Sequence, residues 1–270
     1  MSEIDEVVTA VLRSRRYRSV HPATVRRLAE AQLAAGGGRR TDDAIKRTKR
    51  ALHQIFGAYL PQPPRYERWL GELDAATTDA ARHEVLRRAM AQHASTRERL
   101  EQLERFYAQL REHLGPVASV LDLACGLGPL AAPWLGLPVG TPYHAWDIDV
   151  ELVGFVGEVL ARLGLRPHAA AVDLLAVSTW PRTDLALVLK TLPCLEQQGA
   201  GASETLLDAI PAPRLVVSFP TRSLGGRAKG MGATYARGFE AILAARGWAA
   251  ESFEAGPELV YVVERPHTPG

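Results

Sequence analysis

The sequence predicts an α/β fold: a doubly wound, mostly parallel sheet of seven strands with a terminal antiparallel hairpin, preceded by an all-helical region. Three observations carry this. Up to residue 115 every apolar pattern has a helical period and none reads as a strand. After residue 116 short apolar runs alternate with helical segments, the pattern of a parallel sheet with right-handed crossovers. Between them in kind stands Ser119–Leu130, S-V-L-D-L-A-C-G-L-G-P-L. It reads as a buried strand, a glycine turn and a helix start, by which such sheets approach a nucleotide-like ligand.

Taken in order, Ile4, Val7, Val8, Val11 and Leu12 fall on one face of a first helix. A basic turn, Arg13 to Arg18, follows. Pro22 stands at the first position of a second helix, which runs to Ala35 before Gly36-Gly-Gly38. Thr41 caps a third helix to about Tyr59, with Ile45, Thr48, Leu52, Ile55 and Phe56 on its apolar face. Lys46, Lys49, Arg50 and His53 cluster on another face, roughly 120° away. The three helices should form a small bundle displaying a cationic ridge. Pro61, Pro63 and Pro64 make a stiff linker, and helices follow at about 64–75 and 78–93. Ser95 and Glu98 read as a capping box opening a helix to about Leu114, which Gly115-Pro116 closes.

The strand candidates are 119–124, 143–147, 166–172, 184–190, 214–219, 249–254 and 259–264. Helices fit between them at about 129–135, 150–163, 194–198, 204–209 and 234–246. Only Ala255-Gly256-Pro257-Glu258 separates the last two strands, so they form a hairpin and the final strand is antiparallel. The expected organisation is a helical basic region over residues 1–115, with the bundle in about 1–60, and a sheet domain over 116–270. This layout resembles that of class I S-adenosylmethionine-dependent methyltransferases.

Composition narrows the function class. No apolar run approaches membrane-spanning length, and Glu3, Asp5, Glu6 and Arg13 stand where a signal peptide needs an apolar core. Cys125 and Cys194 are the only cysteines, which suits a reducing cytoplasm; the eight histidines show no metal-ligand spacing, so no metal is expected. The near-neutral total hides an asymmetry. Residues 1–115 carry 21 basic against 15 acidic side chains, and residues 116–270 carry 11 against 15. The whole excess lies in residues 1–50, with 12 against 6, a basic arm suited to a polyanion such as nucleic acid.

The sheet domain offers a ligand site at its strand ends. Asp147, about twenty residues after the glycine turn, is placed to accept from ribose hydroxyls, while Asp149 suits a cap on the next helix. Asp173, at the end of the third strand, is placed to accept from an adenine amino group. The turn lacks the third glycine of the dinucleotide fingerprint, and Pro129 removes a backbone N–H that pyrophosphate would need. S-adenosylmethionine has no phosphate and tolerates both. The fourth strand ends Leu189-Lys-Thr-Leu-Pro-Cys194, without the motif of adenine-N6 enzymes. Its Pro-Cys leaves open a cytosine-C5 methyltransferase acting through a Cys194 thiolate. A non-catalytic RNA-binding protein with a degenerate cofactor fold is the remaining alternative.

Five stretches sharpen the reading: Lys46–Arg50 (KRTKR), His93–Leu100 (HASTRERL), Asp122–Gly128 (DLACGLG), Leu189–Glu196 (LKTLPCLE) and Phe219–Gly225 (FPTRSLG). In this order and over nearly the whole chain they resemble the Arm family of aminoglycoside-resistance 16S rRNA methyltransferases, the antibiotic-producer branch in particular. The resemblance implies transfer of a methyl group from S-adenosylmethionine to N7 of the decoding-site guanine, position 1405, in the assembled 30S subunit. It implies direct in-line displacement without a general base, and a cytoplasmic monomer that binds neither membrane nor DNA. Carried over residue by residue, the cofactor site comprises Tyr59, His93, Ala94, Ser95, Arg99, Ala124, Asp147, Asp173, Leu174, Leu189 and Gln198, to which the glycine turn adds Gly126. Arg99 is expected to hold the methionine carboxylate bidentately. Lys46, Arg47, Lys49, Arg50, Lys190, Arg222, Arg227 and Lys229 are expected to meet RNA, with Lys190 and Met231 positioning the target base over the pocket.

Overall fold

The computed structural model describes residues 2–35, 41–221 and 231–266, without the side chains of 231–233. The chain opens with α1 (Glu3–Leu12), α2 (Pro22–Ala35) and α3 (Thr41–Leu52), each packed on the other two. Ser2 and Asp5 close a capping box at the start of α1. Val7, Val8, Val11, Tyr17, Val20, Val25, Leu28, Ala44 and Leu52 form a core separate from the rest of the molecule. α3 continues as a π-helical turn, His53–Gly57.

Next come α4 (Tyr66–Ala75), α5 (Asp79–Met90), α6 (Ala94–Arg97), a 3₁₀ turn (Leu100–Gln102) and α7 (Leu103–Leu114). The expected capping box at Ser95 and Glu98 does not form. The N-cap is His93, two residues earlier, with no side-chain cap, and Glu98 pairs with Lys190 instead. The separate single turn then gives way to α7. Trp69, Leu86, Met90, Phe106 and Leu110 share a core with sheet residues such as Val120, Tyr143 and Val216. The hydrophobic cores therefore divide the chain near residue 60, and the boundary expected at residue 115 falls within one core.

The sheet comprises β1 (Val120–Leu123), β2 (Pro142–Asp147), β3 (Arg166–Ala171), β4 (Leu185–Leu189), β5 (Arg214–Pro220), β6 (Ala249–Ala255) and β7 (Glu258–Glu264). Its order is β3-β2-β1-β4-β5-β7-β6. The first five strands run parallel, and β7 is antiparallel to both β5 and β6. A 3₁₀ turn (Gly128–Ala131) and α8 (Ala132–Leu135) follow β1, and α9 (Val150–Arg162) follows β2. α10 (Leu192–Glu196) and α11 (Ala202–Ala209) follow β4, and α12 (Met231–Arg246) follows β5. The central strands β1 and β4 are buried on both faces, as a sheet covered by helices on each side requires, with Asp122 the one charged residue in them. The switch of strand order lies between β1 and β4, so their carboxyl ends open a crevice. Asp149 caps α9, accepting from the N–H groups of Glu151 at 3.0 Å and Leu152 at 3.2 Å. No helix among the described residues is long and apolar enough to cross a membrane.

Candidate cofactor site

The crevice is a pocket lined by the ends of β1 to β4 and, from the N-terminal side, by α2, the π-helical turn, Tyr59 and the α6 segment. The turn after β1 is its floor. Ala124 and Gly126 both take positive φ, 49° and 50°. A Cβ on Gly126 would stand 2.8 Å from His93 Cε1, so glycine is required there for space as well as conformation. At Gly128 the φ is ordinary and a Cβ would meet only Asp122 Oδ2 at 3.6 Å, so the second glycine of the motif is not demanded by geometry. Ala124, which has no sequence signal for a left-handed backbone, shares the turn's strain.

Asp147 is held at the end of β2 with its carboxylate across the turn. Oδ2 accepts from Gly126 N–H at 2.9 Å and Oδ1 from Asp149 N–H at 3.2 Å. Each oxygen keeps a lone pair towards the pocket, which suits a vicinal diol. Burial pushes the Asp147 carboxyl upward, against those N–H groups. Asp122 lies deeper, accepting from Tyr143 Oη–H at 2.8 Å. Its burial outweighs the Tyr143 hydrogen bond and the Arg99 charge, and its carboxyl rises to about 7.

Ten of the twelve sequence-predicted cofactor residues line this pocket: Tyr59, His93, Ser95, Arg99, Ala124, Asp147, Asp173, Leu174, Leu189 and Gln198. Ala94 and Gly126 stand behind the lining, Ala94 donating its N–H to the Tyr59 carbonyl at 2.9 Å. Tyr59 stacks on His93 with ring centroids 5.6 Å apart. Burial and the neighbouring Lys190 and Arg97 charges lower His93 to about 4, so the stacked imidazole is neutral at physiological pH.

Arg99 and Lys190 occupy a buried ion cluster that the sequence did not disclose. Glu258, fully buried at the start of β7, accepts from Arg99 Nε at 2.9 Å and Nη2 at 2.8 Å. It also accepts from Ser218 Oγ–H at 2.9 Å and pairs with Lys190 Nζ at 3.2 Å. The Nε/Nη2 edge of the Arg99 guanidinium is thus engaged within the protein and Tyr107 also bonds to it, so a carboxylate meets only the donors left over. Lys190, at φ 58°, is 8% exposed; its Nζ donates to Glu98 Oε2 at 2.8 Å and to the Ser95 carbonyl at 3.1 Å. The expectation that Lys190 meets RNA is therefore corrected: its ammonium is consumed inside the wall of the pocket.

Cys194 lies in the middle of α10 rather than at its start, with Sγ 3.0 Å from Tyr59 Oη. Burial raises its pKa, which disfavours the thiolate that a covalent cytosine-C5 route needs. On α3, Lys46 and Arg50 are exposed and Lys49 half-buried, as a ridge requires. Arg47 is not part of it, because its Nη2 donates to the Gln32 carbonyl of α2 at 3.1 Å. Met231 opens α12, its side chain outside the described atoms; Arg222, Arg227 and Lys229 lie outside the described residues.

Among the pocket residues that the sequence did not single out, one is charged and spans two predicted site residues. Arg27 of α2 reaches from the bundle to Asp173, donating from Nε to Oδ2 at 2.7 Å and from Nη2 to Oδ1 at 3.2 Å. The same Nη2 donates to Gln198 Oε1 at 2.8 Å. In sequence it is one arginine of a basic arm, and only a long-range contact distinguishes it from the solvated ones. Among the described residues no cluster of three or more His, Cys, Asp or Glu side chains is arranged to hold a metal ion.

Comparison with known proteins places this geometry. Relatives from Micromonospora echinospora and Frankia casuarinae, both named 16S rRNA (guanine(1405)-N(7))-methyltransferase, are each 48% identical. The matches cover 97% of this chain, and 97% and 94% of the relatives respectively. The crystal structure of 16S rRNA methyltransferase RmtF in complex with S-adenosyl-L-homocysteine superposes with a TM-score of 0.83 at 35% identity, covering 98% of this chain and 99% of that one. The 16S rRNA methylase RmtB gives 0.81 at 30% identity, covering 97% and 98%. Residues 13–262 match the family described as ribosomal RNA methyltransferase (FmrO), and the chain belongs to that family of methyltransferases.

Proposed function

We propose that this protein methylates N7 of the decoding-site guanine, position 1405, of 16S rRNA within the assembled 30S subunit, and so blocks aminoglycoside binding. The observation that carries the reading is the alignment of Asp147, Asp173 and the β1 turn along one pocket whose far wall is the buried Arg99 cluster. These groups match the ribose, adenine and amino-acid ends of S-adenosylmethionine, which supplies the electrophilic methyl group.

Asp147 accepts from the ribose hydroxyls, Asp173 from the adenine amino group, and the donors left over on Arg99 meet the carboxylate. Asp122, with a carboxyl near neutrality, faces the same end and suits an ammonium partner. Guanine N7 has an in-plane lone pair and no proton, so the chain supplies no general base; its contribution is orientation in a site closed by Tyr59, His93 and Leu189. N7 of a paired guanine lies in the deep major groove of A-form RNA, so the base is presented exposed or flipped. The exposed Lys46 and Arg50, on the helix that continues through the π-helical turn into the pocket wall, hold the phosphates and set register. The working unit is a cytoplasmic monomer with the bundle as its RNA-facing module.

The test is primer extension on 16S rRNA after incubating 30S subunits with protein and S-adenosylmethionine, with and without borohydride–aniline cleavage. A cleavage-dependent stop at the decoding-site guanine is expected. A stop that appears without cleavage, or a modified adenine or cytosine, overturns the reading.

A further inference from the structure

The cofactor pocket lies at the carboxyl edge of the sheet, yet one of its polar contacts comes from the N-terminal bundle. Arg27 is held over the site because the bundle is stitched to the loop after β2. His21 N–H donates to the Ile148 carbonyl at 2.7 Å, and Val150 N–H to the Ser19 carbonyl at 2.8 Å. From that anchorage the guanidinium spans Asp173 and Gln198. It thereby fixes two choices that neither residue makes alone. The Asp173 carboxylate is turned with Oδ1 against Arg27 Nη2 and the Leu175 N–H, 3.1 Å away, leaving Oδ2 with Arg27 Nε alone and a second lone pair free. The Gln198 amide is set with its oxygen to Arg27 and its Nε2 donating to the Cys194 carbonyl at 3.1 Å.

We propose that Arg27 is a specificity-determining positioning residue for the adenine end of the cofactor, holding Asp173 as a pure hydrogen-bond acceptor for an exocyclic amino group. The inference rests on the assignment of Asp173 to adenine made above. The Asp173 side chain is 5% exposed. Without the arginine fork neither the Asp173 carboxylate nor the Gln198 amide is held in one orientation, and the Gln198 Nε2–H can turn towards the ligand. The site then offers a donor to a 6-oxo purine, which the fixed Asp173 carboxylate repels because acceptor faces acceptor.

The experiment measures binding of S-adenosylhomocysteine and its 6-oxo analogue, S-inosylhomocysteine, to the full-length parent, Arg27→Gln and Arg27→Lys by calorimetry at one pH. The lysine variant keeps the charge that secures the bundle but cannot serve two acceptors in a fixed fork. The parent is expected to prefer the adenine ligand by roughly 100-fold or more, since a site built for an N–H rejects its absence strongly. In Arg27→Gln the adenine ligand should weaken by about tenfold while the 6-oxo ligand holds or improves, with Arg27→Lys intermediate. Equal weakening of both ligands makes Arg27 a docking contact only and overturns the proposal. Tighter adenine binding in either variant makes it a competitor and does the same. A parent that does not distinguish the ligands removes the Asp173 assignment, and the proposal with it.

Discussion

Glu258→Gln probes how the pocket wall is held. Arg99, Lys190, Glu98 and Glu258 form a group of two cations and two anions, and the Arg99 and Glu258 side chains are 3% and 0% exposed. Glutamine keeps the shape and removes one negative charge, leaving the cluster at a net charge of +1. Its amide N–H₂ must also point at Arg99 whichever way it turns, a donor against a donor. Removing one partner of a buried pair costs about 3–5 kcal/mol. For a domain of this size 1 kcal/mol moves Tm by about 2–4 °C, so a fall of roughly 6–20 °C is expected by calorimetry near pH 7.5. Glu204→Gln is the control: its pair with Arg246 has a carboxylate 54% exposed, and such pairs contribute under about 1 kcal/mol. The acid limb gives a second reading. Arg99 and Lys190 hold the Glu258 carboxyl below its ordinary value of 4.5, against the desolvation that opposes them. Its contribution is complete above that value and is lost as pH falls through the depressed folded pKa, so the parent and Glu258→Gln should converge in strong acid. A Tm loss no larger than that of Glu204→Gln would show that the cluster contributes shape and not charge, and would refute this account of the wall.

Other outcomes follow from the same geometry. Asp147→Ala should weaken S-adenosylmethionine binding by roughly 10- to 100-fold in calorimetry, the loss of one or two charge-assisted hydrogen bonds to the ribose. Asp122→Asn should be more stable than the parent at pH 8, and the advantage should shrink towards pH 4 in thermal melts. The sign follows from its carboxyl standing at about 7 instead of 3.8: the unfolded chain releases this proton first, so stability is lost as pH rises between those values. Gly126→Ala should lose about 1–2 kcal/mol from the left-handed backbone alone, and more from the contact with His93, with Tyr59–His93 stacking and cofactor affinity failing together. Cys194→Ala should retain methyl transfer to 30S subunits; abolition with cofactor binding intact would revive the covalent route.

The parts of the site legible in sequence are those whose cause is local. Strand ends, the Gly126 turn, Asp149 as a cap and Asp147 beside it all follow from periodicity and turn chemistry within a dozen residues, and their positions agree with the fold to within one or two residues. What escaped depends on distance along the chain. Glu258 stands in what reads as a solvated hairpin turn, and it is buried only because Arg99, 159 residues earlier, arrives opposite it. Lys190 at a strand end reads as a surface cation, until Glu98, 92 residues away, is seen to claim it. Arg27 reads as one charge among twelve in a basic arm, and Asp173 lies 146 residues off. In each case the composition offered the ion and the topology supplied its partner. Charge counting therefore overstates the surface available to RNA. Of the cations first assigned to it, Lys190 and Arg47 hold the protein together. Of the others, Lys46 and Arg50 stay exposed and Lys49 half-buried on one short stretch of α3, alongside the exposed Arg13 and Arg15 of the basic turn. Phosphate contact through α3 alone predicts a shallow salt dependence of 30S binding, with a slope of roughly two to three released counterions. A slope several-fold steeper would mean that the phosphate contacts extend well beyond α3.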